Sequence, residues 1–211
     1  MNSIEKLTQI FSNFPGIGPR QAKRFVYYLL TRQNGTLEEL SKNISALKKE
    51  VSVCGDCRRF FQSFHHNHNE KNGAELCSIC ANSSRDRSIL MLVQRDIDLE
   101  SVEKNGLFNG IYFVLGGSVP ILDKEPEKRI RAVELKKYVE KCVEEGLKEI
   151  ILGTNWNPEG ENTGDFVERL IKPITEKRKI KVSHFGKGLS MGSELEYTDP
   201  DTLKNALKNR G

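Results

Sequence analysis

Apolar side chains recur at helical spacing through the first fifty residues. Ile4, Leu7, Ile10 and Phe11 share one face, and Phe14-Pro15-Gly16-Ile17-Gly18-Pro19 then interrupts the pattern. A second stripe follows, formed by Ala22, Phe25, Val26, Leu29 and Leu30. Pro19 suits the first turn of that helix, where its missing N–H removes no hydrogen bond. Leu37, Leu40, Ile44 and Leu47 predict a third helix, opening at Thr36 with Glu39 completing a capping box. From Ser88 the rhythm changes. Segments 89–93, 111–115, 149–152 and 180–183 are short apolar runs rich in β-branched residues, with helical patterns at about 98–105, 126–145 and 163–172 between them. Strands alternating with helices imply a mostly parallel sheet covered by helices. A last helix is expected over 199–209, opening at Asp199-Pro200. The fold class is therefore α/β behind an all-helical N-terminal domain, with a C-terminal helical tail.

Composition narrows the setting. At 211 residues the chain can bury a sizeable core in one or two domains. No apolar run approaches the roughly 18 residues of a membrane span, and Met1 to Ile10 lacks a secretory pattern. A cytoplasmic protein with no membrane partner is expected. Residues 1–50 carry eight Lys/Arg against four Asp/Glu, so the whole net charge of +4 sits there. A basic module joined to a neutral body fits a phosphate-binding head; a solvated helical face accounts for the charge equally well.

Two motifs carry chemistry. Cys54-x-x-Cys57 is followed, after nineteen intervening residues, by Cys77-x-x-Cys80. Two close pairs at this separation form a tetrahedral zinc pattern, and four thiolates leave no position open for water, so one structural Zn²⁺ per chain is expected. His65, His66 and His68, in the polar stretch between the pairs, read as loop residues because the cysteine set is already complete. Cys142, within a helical pattern, reads as a buried core thiol. The second motif is Phe14-Pro15-Gly16-Ile17-Gly18-Pro19-Arg20. Gly16 and Gly18 allow a tight turn with outward N–H groups, which the next helix start completes as a phosphate cradle. Arg20, Lys23 and Arg24 lie near that start and would neutralise DNA backbone charge without reading sequence. An ordinary helical hairpin with a Gly/Pro turn is the alternative.

A Phe-Pro-Gly-Ile-Gly-Pro-Arg hairpin, a four-cysteine module and then Arg85-Asp86 leading into an apolar strand resemble the RecR family. Later segments agree in order: Gly110-Ile111-Tyr112-Phe113-Val114-Leu115-Gly116-Gly117, then Thr154-Asn155 with Glu159-Gly160-Glu161, and finally Gly188-Leu189-Ser190-Met191-Gly192-Ser193-Glu194-Leu195-Glu196-Tyr197-Thr198-Asp199. The resemblance implies a helix-hairpin-helix DNA-binding domain over 1–53, a zinc finger over 54–86, a Toprim-like domain over 87–184 and a tail over 185–211. It also implies a homodimer or ring-shaped homotetramer that acts in DNA repair with RecO, and often RecF, to help load RecA on single-stranded DNA.

Toprim enzymes place a glutamate after the first strand and an Asp-x-Asp after a later one, to hold Mg²⁺. Here the first position is Gln94, and Gln94-Arg95-Asp96-Ile97-Asp98 departs from the family pattern. Asp96-Ile97-Asp98 follows the wrong strand, and the later position reads Gly153-Thr154-Asn155-Trp156-Asn157. Glu159 and Glu161 match acidic positions of partner contact in the family, and read equally well as solvated helix-start carboxylates. No phosphate-binding Gly-x-x-x-x-Gly-Lys-[Ser/Thr] loop is present. His184 reads as structural. A non-enzymatic clamp is expected. The alternatives are a metal-dependent nuclease or primase using Asp96, Asp98, Glu159 and Glu161, and a protein adaptor with weak DNA contact.

Overall fold

The computed structural model describes residues 1–62 and 75–186, with Glu196, Pro200 and 202–204 beyond them. His65, His66, His68, residues 188–195 and most of the tail helix expected over 199–209 lie outside the described residues. Two compact units are present: Met1–Ser52 with Gln62, and Val53–Phe61 with the segment from 75 onward.

In the first unit, α1 (Ser3–Ser12), α2 (Pro19–Leu30) and α3 (Asn34–Glu50) follow the apolar stripes. Asn2 caps α1, its Oδ1 accepting from the Glu5 N–H at 2.9 Å while its own N–H donates to Glu5 Oε2 at 3.0 Å. Phe11 meets the rings of Phe14 and Phe25 edge-on at 5.7 and 6.0 Å, and Ala22 and Val26 of α2 are buried. The expected capping box at Thr36 and Glu39 is not formed. α3 opens two residues earlier, with Gln33 at the cap and no side-chain cap bond, and the Thr36 N–H donates to the Gln33 carbonyl at 3.1 Å. The cause is the tight end of α2, where Thr31 and Arg32 N–H groups fold back on Tyr28 and Leu29. The chain is already turned at Gln33, so Thr36 falls inside the first helical turn.

After α3 the chain forms a ribbon of β1 (Val51–Val53) and β2 (Phe60–Gln62), and then the single turn α4 (Ser78–Ala81) of the second unit. The body of that unit is a four-stranded parallel sheet of β3 (Asp86–Val93), β4 (Gly110–Val114), β5 (Glu149–Gly153) and β6 (Lys181–His184), in the order β4-β3-β5-β6. The crossovers are α5 (Asp96–Lys104), α6 (Ala132–Glu144) and α7 (Pro158–Arg178).

Side chains alternate between the two faces of the sheet. Leu90, Leu92, Ile111, Phe113, Ile150 and Leu152 face one core, completed by Leu135, Val139 and Cys142 of α6 and by Val167 and Ile171 of α7. Met91, Val93, Tyr112 and Val114 face the other, completed by Leu99 of α5 and by all four paired cysteines. A parallel sheet requires cover on both faces. Here the cysteine module, beside α5, supplies part of a cover that the alternating pattern assigned to helices alone.

The pattern expected over 126–145 is divided into a 3-10 turn, Pro126–Lys128, and α6. Between them Arg131 is tied to the sheet: its N–H donates to Leu115 O at 2.8 Å and its guanidinium to Arg58 O and Val114 O at 2.6 and 3.1 Å. α7 is longer than the expected 163–172 and runs through Pro173. Burial of Val167, Ile171 and Thr175 on either side outweighs the one hydrogen bond a proline cannot make. Arg85, before β3, closes the start of the sheet with a bidentate pair to Glu103, which also accepts from Tyr112 Oη at 2.6 Å. Among the described residues no helix is long and apolar enough to cross a membrane.

Candidate metal centre and nucleic-acid interface

The first cysteine pair sits in a knuckle at the base of the ribbon. Cys54 N–H donates to Arg59 O at 2.9 Å and Arg58 N–H to Cys54 O at 3.2 Å, with Arg58 in the left-handed region at φ 63°. The second pair frames α4, Cys77 at its cap and Cys80 inside it. These two turns bring all four Sγ atoms within 4.8 Å of one another, every one buried. Cys57 and Cys77 sulfurs are 3.6 Å apart, and the Cys77 N–H points at Cys54 Sγ from 3.4 Å. A tetrahedron with Zn–S bonds of about 2.3 Å has S–S edges of about 3.8 Å. The four cysteines therefore fit a tetrahedral cation.

The electrostatics agree with the geometry. Hydrogen bonding within the group, led by Cys57, pulls Cys54 far below an ordinary thiol, while contacts led by Cys54 push Cys57 and Cys80 up. Cys77 is pushed up by Cys54 but pulled down more by Cys57 and Cys80, to about 7. Four thiols in one buried space cannot all ionise together without a positive charge among them, and a divalent cation removes that conflict. Cys142 stands apart as a core thiol, pushed up to about 12 by burial.

The module is fastened to the sheet by contacts absent from the cysteine motif. Cys57 O accepts from the N–H of Val114 on edge strand β4 at 2.8 Å. Lys141 of α6 grips Asp56 at 2.7 and 2.8 Å, Arg58 pairs with Glu134 at 3.1 Å, and Arg87 donates to Cys80 O at 3.1 Å.

At the carboxyl ends of the strands, Gln94 is buried, at 3% exposure, and its Oε1 accepts from Asn155 N–H at 3.0 Å. It thus straps the turn after β5 to the end of β3. Asp96 and Asp98 are both engaged in structural bonds: Asp96 Oδ1 accepts from Phe60 N–H at 2.7 Å, and Asp98 caps α5 by accepting from Arg95 N–H at 2.9 Å. Glu159 and Glu161 occupy the first turn of α7, exposed. Glu159 accepts from the Ser118 hydroxyl, holding the loop after β4. His184 Nε2 lies 3.8 Å from Glu168. The strapping role of Gln94 and the loop-holding role of Glu159 carry no sequence signal, because their partners lie 61 and 41 residues away.

In the first unit, the turn between α1 and α2 holds Gly16 at φ 76°, a conformation that side chains resist. Gly18 caps α2, with Pro19 following it at the start of the helix and no side chain bonded to the helix end. Nothing lies within 4 Å of the Cβ position at either glycine, so the turn is open. Arg20, Lys23 and Arg24 are exposed on the first turns of α2, with Lys23 Nζ 5.9 Å from the Tyr27 ring centre. The helix end supplies N–H groups and partial positive charge in the same place.

An open glycine turn between two packed helices, on a chain that also builds a four-thiol site into a doubly wound sheet, defines a helix-hairpin-helix protein with an α/β body. Residues 4–48 match the family described as RecR, helix-hairpin-helix, and 188–210 match RecR, C-terminal. The chain is 34% identical over 208 residues to "Recombination protein RecR" of Staphylococcus haemolyticus, covering 98% of this chain and 96% of the relative. The proteins of the same name from Ligilactobacillus salivarius and Lactococcus lactis subsp. lactis are 34% and 31% identical over the same shares. The chain belongs to the RecR family.

Proposed function

We propose that this protein is a DNA-binding clamp without enzymatic activity of its own, acting in recombination and DNA repair. The observation that carries the reading is the open glycine turn at Gly16 and Gly18 beside exposed Arg20, Lys23 and Arg24. N–H groups and three cations at one helix start suit a phosphate backbone and offer nothing that reads bases. The relatives' name, recombination protein, supports the process. We divide the chain as 1–53 for the hairpin domain, 54–86 for the zinc module, 87–184 for a Toprim-like domain and 185–211 for the tail. Cys54, Cys57, Cys77 and Cys80 would hold one Zn²⁺, whose contribution is structural because four thiolates fill its coordination.

Family membership extends the reading to RecO and RecF as partners, to RecA loading on single-stranded DNA, and to a cytoplasmic dimer or ring. Self-association is supported by the apolar faces that the first unit leaves exposed, among them Ile10, Leu30, Ile44 and Leu47. Partner contact through Glu159 and Glu161 is supported by their exposure on the first turn of α7. The engagement of Asp96 and Asp98 in structural hydrogen bonds supports a scaffold over a metal-dependent nuclease.

The test is binding of a labelled oligonucleotide across a salt series. The parent should bind with affinity falling steeply as salt rises. The variant with Arg20, Lys23 and Arg24 all changed to Ala should bind weakly and lose about three phosphate contacts from the salt slope. An unchanged slope in that variant would remove the hairpin from the DNA interface.

A further inference from the structure

We propose that Trp156 anchors a protein-docking face on the second unit, and that its occupant is an arginine-bearing basic segment of a partner protein. The proposal rests on the reading of the α7 start as a partner contact, and names the chemistry that contact selects.

Trp156 lies in the turn between β5 and α7, at the carboxyl end of the sheet. The crevice there, beside the central strand where the winding direction reverses, is where open α/β sheets bind ligands. Its backbone is pinned on both sides. Asn155 N–H is held by Gln94 Oε1 at 3.0 Å, and Asn157 Oδ1 accepts from Gly160 N–H at 2.7 Å. Gly160 packs so closely that a Cβ there would stand 2.2 Å from Asn155 O. The indole therefore projects from a rigid turn. It remains 47% exposed, with the His184 ring 6.3 Å away and tilted by 39°. Phe185, 42% exposed, lies over Gly153 at the end of β5 and enlarges the aromatic surface. The backbone that carries this large aromatic is already ordered, which lowers the entropy a partner must overcome on docking.

Charge selects the occupant. Over the first turns of α7, Glu161, Asp165 and Glu168 recur at i, i+4 and i+7, all exposed. Glu168 reaches His184 at 3.8 Å, so the acidic stripe runs up to the aromatic pair. Carboxylates beside an indole repel phosphate and disfavour a nucleic acid strand. They favour a cation that can lie flat on the ring while pairing with the acids. Guanidinium does both, whereas a compact, strongly hydrated ammonium does so less well.

Trp156 is the only tryptophan in the chain, so its fluorescence reports on this face alone. Titration with a short peptide of alternating arginine and glycine should change that emission saturably, and salt should weaken the change. The lysine counterpart should bind about fivefold less tightly. With a labelled arginine peptide read by anisotropy, Trp156→Ala and the double variant Glu161→Lys/Glu168→Lys should each weaken binding about tenfold. Trp156→Phe should weaken it less, and circular dichroism will confirm that the variants are folded.

Unchanged emission, or variants that bind the peptide as the parent does, would overturn the proposal. So would quenching by a single-stranded oligonucleotide in place of the peptide, or an emission shift on dilution of the protein alone, which would make this a self-interface. Weakening by the charge reversals with no effect of Trp156→Ala would likewise overturn it, because the indole would then not be the anchor. A labelled oligonucleotide titrated in parallel separates all of these from failure of the DNA clamp.

Discussion

Glu103 illustrates how much one side chain holds at the start of the sheet. Burial works to raise its pKa, but hydrogen bonds from Arg85 and Tyr112 outweigh it and hold the carboxyl below its ordinary value of 4.5. A carboxyl lowered on folding contributes stability that is present above its unfolded value and lost as pH falls through the lower folded value. Glu103→Gln should therefore destabilise the protein by about 2 kcal/mol at neutral pH, measured by urea unfolding. It should also flatten the acid limb of the stability profile below pH 4.5. Gly160 makes a second case, steric in origin. Because a Cβ would meet the Asn155 carbonyl at 2.2 Å, Gly160→Ala should lower stability by more than about 2 kcal/mol. Gly35, in α3 with nothing within 4 Å, provides the contrast: Gly35→Ala should raise the melting temperature slightly, by an effect of about 0.5–1 kcal/mol.

At the scale of elements, α1 and α2 were legible because their information is local. Apolar spacing defines each helix, and Gly18-Pro19 marks where the second begins. The cysteine cluster was legible for a similar reason, since each pair is a short-range device and two such pairs predict one group of four thiols. Features built from residues distant in the chain were not. Asp56 and Lys141 are 85 residues apart, and nothing in Cys-x-x-Cys foretells that Cys57 O will meet the edge of β4. The length of α7 is not legible in the sequence, because Pro173 is a local stop signal that burial on the sheet overrides. Thr36 does not cap α3, because a good capping residue caps only where the chain has not already turned. The cap that does form, Asn157 to Gly160, holds the start of α7, and Asn157→Ala should cost about 1 kcal/mol in thermal unfolding.

At the scale of the molecule, the cysteine group lies inside one of the two cores of the sheet, packed with Met91, Val93, Tyr112 and Val114. A metal held there would stabilise the whole α/β body, beyond the knuckles that bind it. Cys77→Ser, or prolonged chelation, should lower the melting temperature by more than about 10 °C. It should also speed amide exchange along β4 and α5, read by mass spectrometry, while α2 and its surroundings stay unchanged. Loss of protection confined to residues 54–61 and 75–81 would show that the module is an appendage.

The hydrogen bond from Val114 N–H to Cys57 O has a consequence for how the chain is made. Cys57 leaves the ribosome more than fifty residues before Val114, so the knuckle that will meet the outer strand is synthesised before the strand itself. A nascent chain with an ion held by its four cysteines would present a finished surface for β4 to close against. A chain without it would expose a strand edge to its neighbours, and an open edge of this kind recruits other chains. If the four cysteines hold zinc, its supply during translation should govern yield as well as stability, and zinc-starved cells should accumulate this protein in the insoluble fraction.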